Sequence, residues 1–357
     1  MTIHQEHQET IPAVVTEILS DSERFLPGLE IYVNIQEVSV KLLDGIRKGE
    51  TVSFENEFAP LSIGDKVFVD RLKTIQGQEY YILKDVDRRN GLLLLTIIFV
   101  GLTLWFAGWQ GIRALGSLTI SILAIIFALV PALLAGYDPA LSSLLIAGFI
   151  LAFVLFGTHG FNPVSTISFI GTFVAVMASC IIAYLSVSGM RFTGFSSDAA
   201  VFLNFSTGGT LDFTGLLLGS IIIGMLGVLD DVSITQASLV AQLKSANHKL
   251  KGLELYRYAI KVGQDHIGSL VNTLALAYVG VSLPLILLYS RVDTSITLTL
   301  NQELIAVEIT RILIGSIGII LAVPITTAIS AWYFGKRQKE AEAVEGTACS
   351  HHHNHAH

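Results

Sequence analysis

The sequence predicts a polytopic α-helical membrane protein with about seven transmembrane helices and a small N-terminal all-β domain. Three observations lead to this fold class. Hydrophobic residues make up 52% of the chain and charged residues only 14%, whereas soluble domains carry about 25% charged residues. Residues 91–335 contain several apolar runs of the length that crosses a bilayer, about 18 or more residues with few charges. Residues 1–90 hold many of the charges and contain short alternating stretches.

Residues 13–87 are predicted to form the small β domain. The stretch IYVNIQEVSVKLL alternates apolar Ile31, Val33 and Ile35 with polar neighbours. The stretches TVSFENEF, DKVFVDRL and EYYILKDV are rich in β-branched and aromatic residues, and turn signals such as Gly45 and Gly49 separate the runs. About five short strands favour a barrel of OB-like type. Such a domain would dock a protein partner or bind a ligand.

The helical domain is predicted to cover residues 91–335 and to be followed by a charged, histidine-rich tail over residues 336–357. The predicted spans are 91–108, 113–135, 140–157, 163–187, 213–238, 262–289 and 304–334. The lipid bilayer is therefore an expected partner. Nucleic acid is excluded, because no face concentrates the basic residues that bind phosphates.

Basic residues predict the orientation of the spans. Five lysines and arginines lie in the loop 244–261, and three more lie within 336–339. By the positive-inside rule, this loop and the C-terminus are cytoplasmic. Seven spans then place the N-terminal β domain outside. No signal peptide precedes that domain, and Arg88 and Arg89 favour the cytoplasm, so the two lines of reasoning conflict; we expect an external β domain.

Two adjacent carboxylates, Asp230 and Asp231, follow an apolar run over residues 215–229. As a helix, this run spans only about 22 Å, whereas the hydrocarbon core is about 30 Å thick. The helix must therefore continue through the aspartates or begin earlier, at Asp212. An ionised carboxylate near the membrane centre costs about 2.5–3.5 kcal/mol on insertion scales, and such residues usually face a bundle interior or a watery cavity.

Polar residues form a stripe on each of the fifth and sixth predicted spans. The first stripe falls at i, i+4, i+7 and i+11 and comprises Asp231, Thr235, Ser238 and Gln242. The second falls at i, i+4 and i+7, with a histidine alongside, and comprises Asp265, His266, Ser269 and Asn272. Because a short loop joins the two helices, they are expected to be antiparallel neighbours whose stripes face each other.

Facing stripes of this composition predict a site for a cation or a proton. Carboxylate, hydroxyl and amide oxygens suit hard cations, and histidine suits a proton relay because it titrates near neutral pH. Asp230 or Asp231 would take the ion, and Asp265 and His266 would relay or gate it. A plainer alternative leaves the last two at the cytoplasmic interface, because the apolar residues after Ile267 suffice to span the membrane.

Three functions fit these features. The first is a permease or ion-coupled transporter. The second is a non-transporting anchor or assembly platform whose β domain recruits a partner. The third is an intramembrane aspartyl hydrolase built on Asp231 and Asp265, but the Gly-x-Gly-Asp pattern of such enzymes is broken here by Leu229. A non-enzymatic function is favoured.

Two further groups of charged or metal-binding residues are expected to be peripheral to this site. Glu308 and Arg311 are three residues apart in the last span and are predicted to form a structural ion pair. The tail sequence CSHHHNHAH is predicted to bind a divalent transition metal loosely, as imidazole clusters do. The histidines concerned are His351, His352, His353, His355 and His357.

The stretches GVLDDVSITQASLV and GQDHIGSLVNTLALAYVGVSLPLILL resemble the YibE/F-like family of bacterial multi-pass membrane proteins. The resemblance extends over most of residues 13–335 and includes a segment of the form L-S-x-G-D-x-V, here Leu61 to Val67. It implies a location in the bacterial cytoplasmic membrane and transfers no catalytic residue. Many members carry an additional hydrophobic helix before the β domain, which this sequence does not show; its absence would explain the orientation conflict.

Overall fold

The computed structural model describes residues 9–26, 31–73, 79–291 and 295–350, with side chains through Lys336 in the last range. The chain divides into two compact units between Trp105 and Phe106. The first contains five strands and the start of a long helix, and the second contains the remaining helices. Each unit is described by itself.

The N-terminal unit is a five-stranded antiparallel half-barrel with strand order β3-β2-β1-β4-β5. Its strands are β1 (Glu9–Leu26), β2 (Ile31–Leu42), β3 (Thr51–Asn56), β4 (Lys66–Lys73) and β5 (Glu79–Val86). The edge strands β3 and β5 also approach each other, so the sheet curls toward closure. The predicted all-β domain is therefore confirmed as a half-barrel.

Alternation along the strands builds the core of the half-barrel. Ile11, Ala13 and Val15 of β1 are buried, as are Val38 and Val40 of β2, because every second side chain of a strand points to the same face. The strand β1 begins four residues before the predicted start of the domain. Pro12 obscured this start in the sequence, since proline argues against a central strand.

A buried carboxylate ties three strands of this unit together, and its removal is expected to weaken the half-barrel. Asp70 of β4 is buried; it accepts a hydrogen bond from Thr10 Oγ1 and pairs with Lys84 Nζ at 2.9 Å. Asp70→Ala should lower the free energy of unfolding by about 1–3 kcal/mol. Pulse proteolysis of the purified chain in increasing urea would measure this, and Glu37→Ala, at an exposed strand position, should leave the midpoint unchanged.

Ion pairs mark the point where the half-barrel ends and the apolar chain begins. Arg88 Nη1 donates to Asp85 Oδ1 at 2.6 Å, and Arg89 Nη2 donates to Asp87 Oδ2 at 2.7 Å. The Arg89 guanidinium and its backbone N–H lower the pKa of Asp87 to about 2. These charges therefore stay ionised at the polar edge of the first long helix.

The rest of the described chain is helical. The helices are α1 (Arg89–Ala124), which continues through a π-turn (Ile125–Leu129) into α2 (Val130–Leu134), α3 (Pro139–His159), α4 (Pro163–Gly189), α5 (Asp198–Ser206), α6 (Phe213–Ala246), α7 (Gly252–Val281), α8 (Leu283–Ser290), α9 (Ile296–Asn301) and α10 (Glu303–Ser350). Capping fixes several starts, since the side chains of Asp138, Asn162 and Asp212 accept the N–H groups of Leu141, Ser165 and Gly215.

Five of the described helices are long and apolar enough to cross a membrane, and the bent pair α7 and α8, which meet at 63°, makes a sixth candidate. The polytopic membrane fold is therefore confirmed, with five to six spans. The predicted number of about seven spans is higher because it divides the stretch Arg89–Leu134 into two spans. That stretch has 46 residues, about 69 Å of helix, and its one internal break in helical geometry is at Gly108, with φ 52° and ψ −130°.

Close contacts between small residues set the helix directions in the second unit. A Cβ on Gly215 would lie 3.1 Å from Pro139 Cδ, and one on Gly219 would meet Ser143, so α3 and α6 run in the same direction. Gly263 of α7 lies against Gln236 of α6. The helix α10 packs against α4, α6 and α7. Small residues at these crossings let the backbones approach closely, which is how membrane helices associate.

Candidate functional site

The two central aspartates lie within the packed part of α6. Leu229 before them and Val232 and Val240 after them are buried, so the packed face of the helix continues past the carboxylates for more than two turns. Asp230 is half-buried and Asp231 is exposed. The aspartates therefore belong to the helix bundle, and they occupy the side of α6 that its buried face leaves open.

The first of three cavities beside α6 has a volume of about 490 Å³. Its walls come from α1, α3 and α6, and they are largely apolar. The polar residues among them are Ser117, Ser121, Thr158, His159, Asp230 and Asp231. Ser117 Oγ and Thr158 Oγ1 are 3.0 Å apart, so a hydroxyl pair joins α1 to α3 opposite the carboxylates. This cavity combines two acids, three hydroxyls and an imidazole.

Two smaller cavities also border the polar stripe of α6. One, of about 360 Å³, is lined by Asp231, Thr235, Gln236 and His266 among others. The other, of about 330 Å³, is lined by His159, Thr235, Ser238, Gln242 and His266 among others. Asp231 lines the first two cavities, and His159 lines the first and third. The three cavities therefore adjoin one another around the polar stripe of α6.

The stripe leads from one end of the bundle to Asp231. His159 is the last residue of α3 and lines a cavity with Thr235 and Ser238, so the α3–α4 turn lies at the level of those two residues. Asp231 is one turn further into the bundle than Thr235, about 6 Å along the helix. Its carboxylate makes no hydrogen bond or ion pair with the part of the chain that the structure describes, so it is free to bind a ligand.

Two histidines border the stripe, His159 from α3 and His266 from α7. Gln236 is held in place between the helices, because its Nε2 donates to Ala259 O at 3.2 Å. The arrangement sets the unpaired carboxylate of Asp231 beside two imidazoles. Chemically, it can hold a proton or a small cation and pass it along the stripe.

Three residues of the predicted α7 stripe do not line these cavities. Asp265, Ser269 and Asn272 are exposed and line none of the three cavities. Asp265 follows buried Gly263 by two residues, a rotation of about 200° on a helix. Contrary to expectation, the two stripes therefore do not line one space, although α6 and α7 are neighbours. Of the predicted α7 stripe, His266 alone lines cavities together with residues of α6. Asp265 shares none of the three cavities with Asp231, whereas an aspartyl dyad requires the two carboxylates to meet.

The predicted pair in the last span is formed. Arg311 Nη1 donates to Glu308 Oε1 at 2.6 Å, and Arg311 Nη2 lies 3.3 Å from Ser220 Oγ of α6. Both side chains are mostly buried. The guanidinium thus links α10 to α6, which is a structural role.

Sequence reasoning missed the contributions of α1 and α3. Ser117, Ser121 and Thr158 carry ordinary helix residue types and gave no signal. His159 did give one, because a histidine ends the apolar run before the turn GFNP, and an ionisable residue at such a place indicates function.

No described group of three or more His, Cys, Asp or Glu side chains is positioned to hold a metal ion. The predicted loose metal site in the tail, over His351, His352, His353, His355 and His357, lies outside the described residues. The prediction for the tail therefore stands untested.

A family model described as YibE/F-like protein matches residues 95–336. The chain belongs to the YibE/F-like family. The matched region of this YibE/F-like protein contains every residue that lines the three cavities. It does not include the strands of the half-barrel. No curated protein and no solved structure matched the chain.

Proposed function

We propose that this YibE/F-like protein is an ion-coupled permease in which Asp231 binds a proton or a small cation. The observation that carries the proposal is that one unpaired carboxylate of a membrane helix lines two adjoining cavities. A carboxylate in a membrane helix is costly, and it is kept where an ion or proton pathway needs it.

Each side chain of the site has a role in this proposal. Asp231 binds the ion, and Asp230 supplies a second negative charge to the first cavity. His159 and His266 exchange protons between Asp231 and the open end of the stripe. Hydroxyl groups replace part of the hydration shell of a cation. They belong to Ser117, Ser121, Thr158, Thr235 and Ser238.

The proposal includes a direction. The stripe opens at the end of the bundle that carries the α3–α4 turn and the basic segment 244–261. By the positive-inside rule that end is cytoplasmic, so the cavities form an inward-facing vestibule in a bacterial cytoplasmic membrane.

Purified full-length protein in sealed vesicles should carry at least one ion faster than protein-free vesicles. Proton flux would be followed with an internal pH dye, and mono- and divalent cations with radioisotopes, one ion at a time. Because the site offers oxygen and imidazole ligands, we expect protons or a hard cation to move. If none of these ions crosses above background, the proposal fails and the helices are better explained as an anchor for a partner-recruiting half-barrel.

A further inference from the structure

The outward face of α7 carries a row of polar and small residues that belongs to no cavity described above; we call it the α7 outer seam. It comprises Lys261, Asp265, Gly268, Asn272 and Ala275. Spacings of four and three residues alternate along it, which is the a/d spacing of a coiled-coil seam. The first four are exposed, and a Cβ on Gly268 would meet nothing within 4 Å.

A seam of this kind is unfavourable against lipid. Tyr278 of α7 lies against Gly224 of α6, and Gly263 lies against Gln236, so Asn272 lies at the level of the segment of α6 between these contacts, inside the candidate span Phe213–Ala246. Neither Asn272 nor Asp265 has a side-chain partner among the described residues. Polar groups that face hydrocarbon without partners are unfavourable, so we expect another surface to cover the seam.

We propose that the α7 outer seam is the interface of a homodimer, in which two copies of the chain pack their α7 helices side by side. Two copies inserted in the same direction are related by a twofold axis along the membrane normal. Their α7 helices are then parallel, and each seam residue lies at the depth of the same residue in the second copy.

The seam is self-complementary under this symmetry. Lys261 can pair with Asp265 of the second copy, one turn away, and the reverse pair forms at the same time. The side-chain amide of Asn272 can donate a hydrogen bond to Asn272 of the second copy and accept one from it, as a single buried asparagine does in parallel coiled coils. Gly268 lets the two backbones approach closely. A second copy therefore satisfies every polar group of the seam at once.

Cysteine cross-linking in membranes tests the geometry. In a background of Cys180→Ala and Cys349→Ala, Ala275→Cys should give a band of twice the chain mass on oxidation. Ile181→Cys, on an exposed face of α4, is the matched control and should cross-link little. Cross-linking at position 275 that is no stronger than at position 181 would overturn the proposal.

The dimer fraction in vesicles tests the polar contacts of the seam. It would be counted by single-molecule photobleaching at a fixed protein-to-lipid ratio. Asn272→Leu should weaken dimerisation about tenfold, the size expected for hydrogen bonds between membrane helices. Lys261→Glu should weaken it too, and adding Asp265→Lys should restore it, because the charges are exchanged. A cooperative thermal unfolding transition shows that each variant is folded. A wild-type chain that stays monomeric, or a double variant that is not restored, would show that something other than a second copy covers the seam.

Discussion

Asp231→Asn is expected to reduce ion flux by about ten- to a hundredfold while leaving the fold intact. Asparagine keeps the size of the side chain but neither takes up a proton nor neutralises a cation. Interactions with charged groups are worth about 1.5–3 kcal/mol, and each 1.4 kcal/mol is a factor of ten. Because Asp231 is exposed to the cavities, the amide meets no packing conflict. Initial rates of flux into vesicles would measure the effect.

Two matched variants make this result specific. Asp230→Asn should have a smaller effect, because Asp230 lines only the first cavity. Asp198→Asn, in the short helix α5 and outside all three cavities, should retain wild-type flux. Wild-type flux in Asp231→Asn would remove Asp231 from the pathway even if the protein does transport ions.

Local signals predicted much of the fold. The helices α4 and α6 begin at residues 163 and 213, as the predicted spans do, and in the structure the side chains of Asn162 and Asp212 cap their first turns. The four quoted β stretches all became strands, since alternation reflects burial on one face. The number of spans in the first long helix was harder to predict, because apolar composition alone does not show where a continuous helix leaves the membrane.

The sequence predicted only some of the residues that line the candidate site, for a physical reason. Periodicity shows that Asp265 and Asn272 share a face of α7, but it does not show which neighbour that face meets. The small residues Ala259 and Gly263 decide this, because they allow close packing on the opposite face. His159 joins the site only because α3 and α6 run in the same direction, which is a property of the tertiary fold.

Gly171→Leu is expected to destabilise the helical unit by about 3 kcal/mol or more. A Cβ at this position would clash with Thr326 Oγ1 and lie 3.1 Å from Thr326 Cα, so α4 and α10 would have to separate. Overpacking of a buried site costs about 1–3 kcal/mol, and occasionally more. We expect a cost at the upper end here, because a backbone atom of Thr326 is among those that the new side chain would meet. Thr326 Oγ1 also lies 3.2 Å from Ser233 Oγ, so the displacement would loosen the contact of α10 with α6.

The unfolding midpoint of the purified protein in increasing SDS would measure this loss, with Gly101→Leu as the control, since a Cβ on Gly101 meets nothing within 4 Å. Gly171→Ala should already show part of the effect, because the clash begins at the Cβ. Adding Thr326→Gly removes the opposing side chain and should recover part of the stability of Gly171→Ala. If Gly171→Leu were as stable as Gly101→Leu, the close contact of α4 with α10 would be wrong. The position of Val323 of α10, which lines the second cavity, would then be wrong as well.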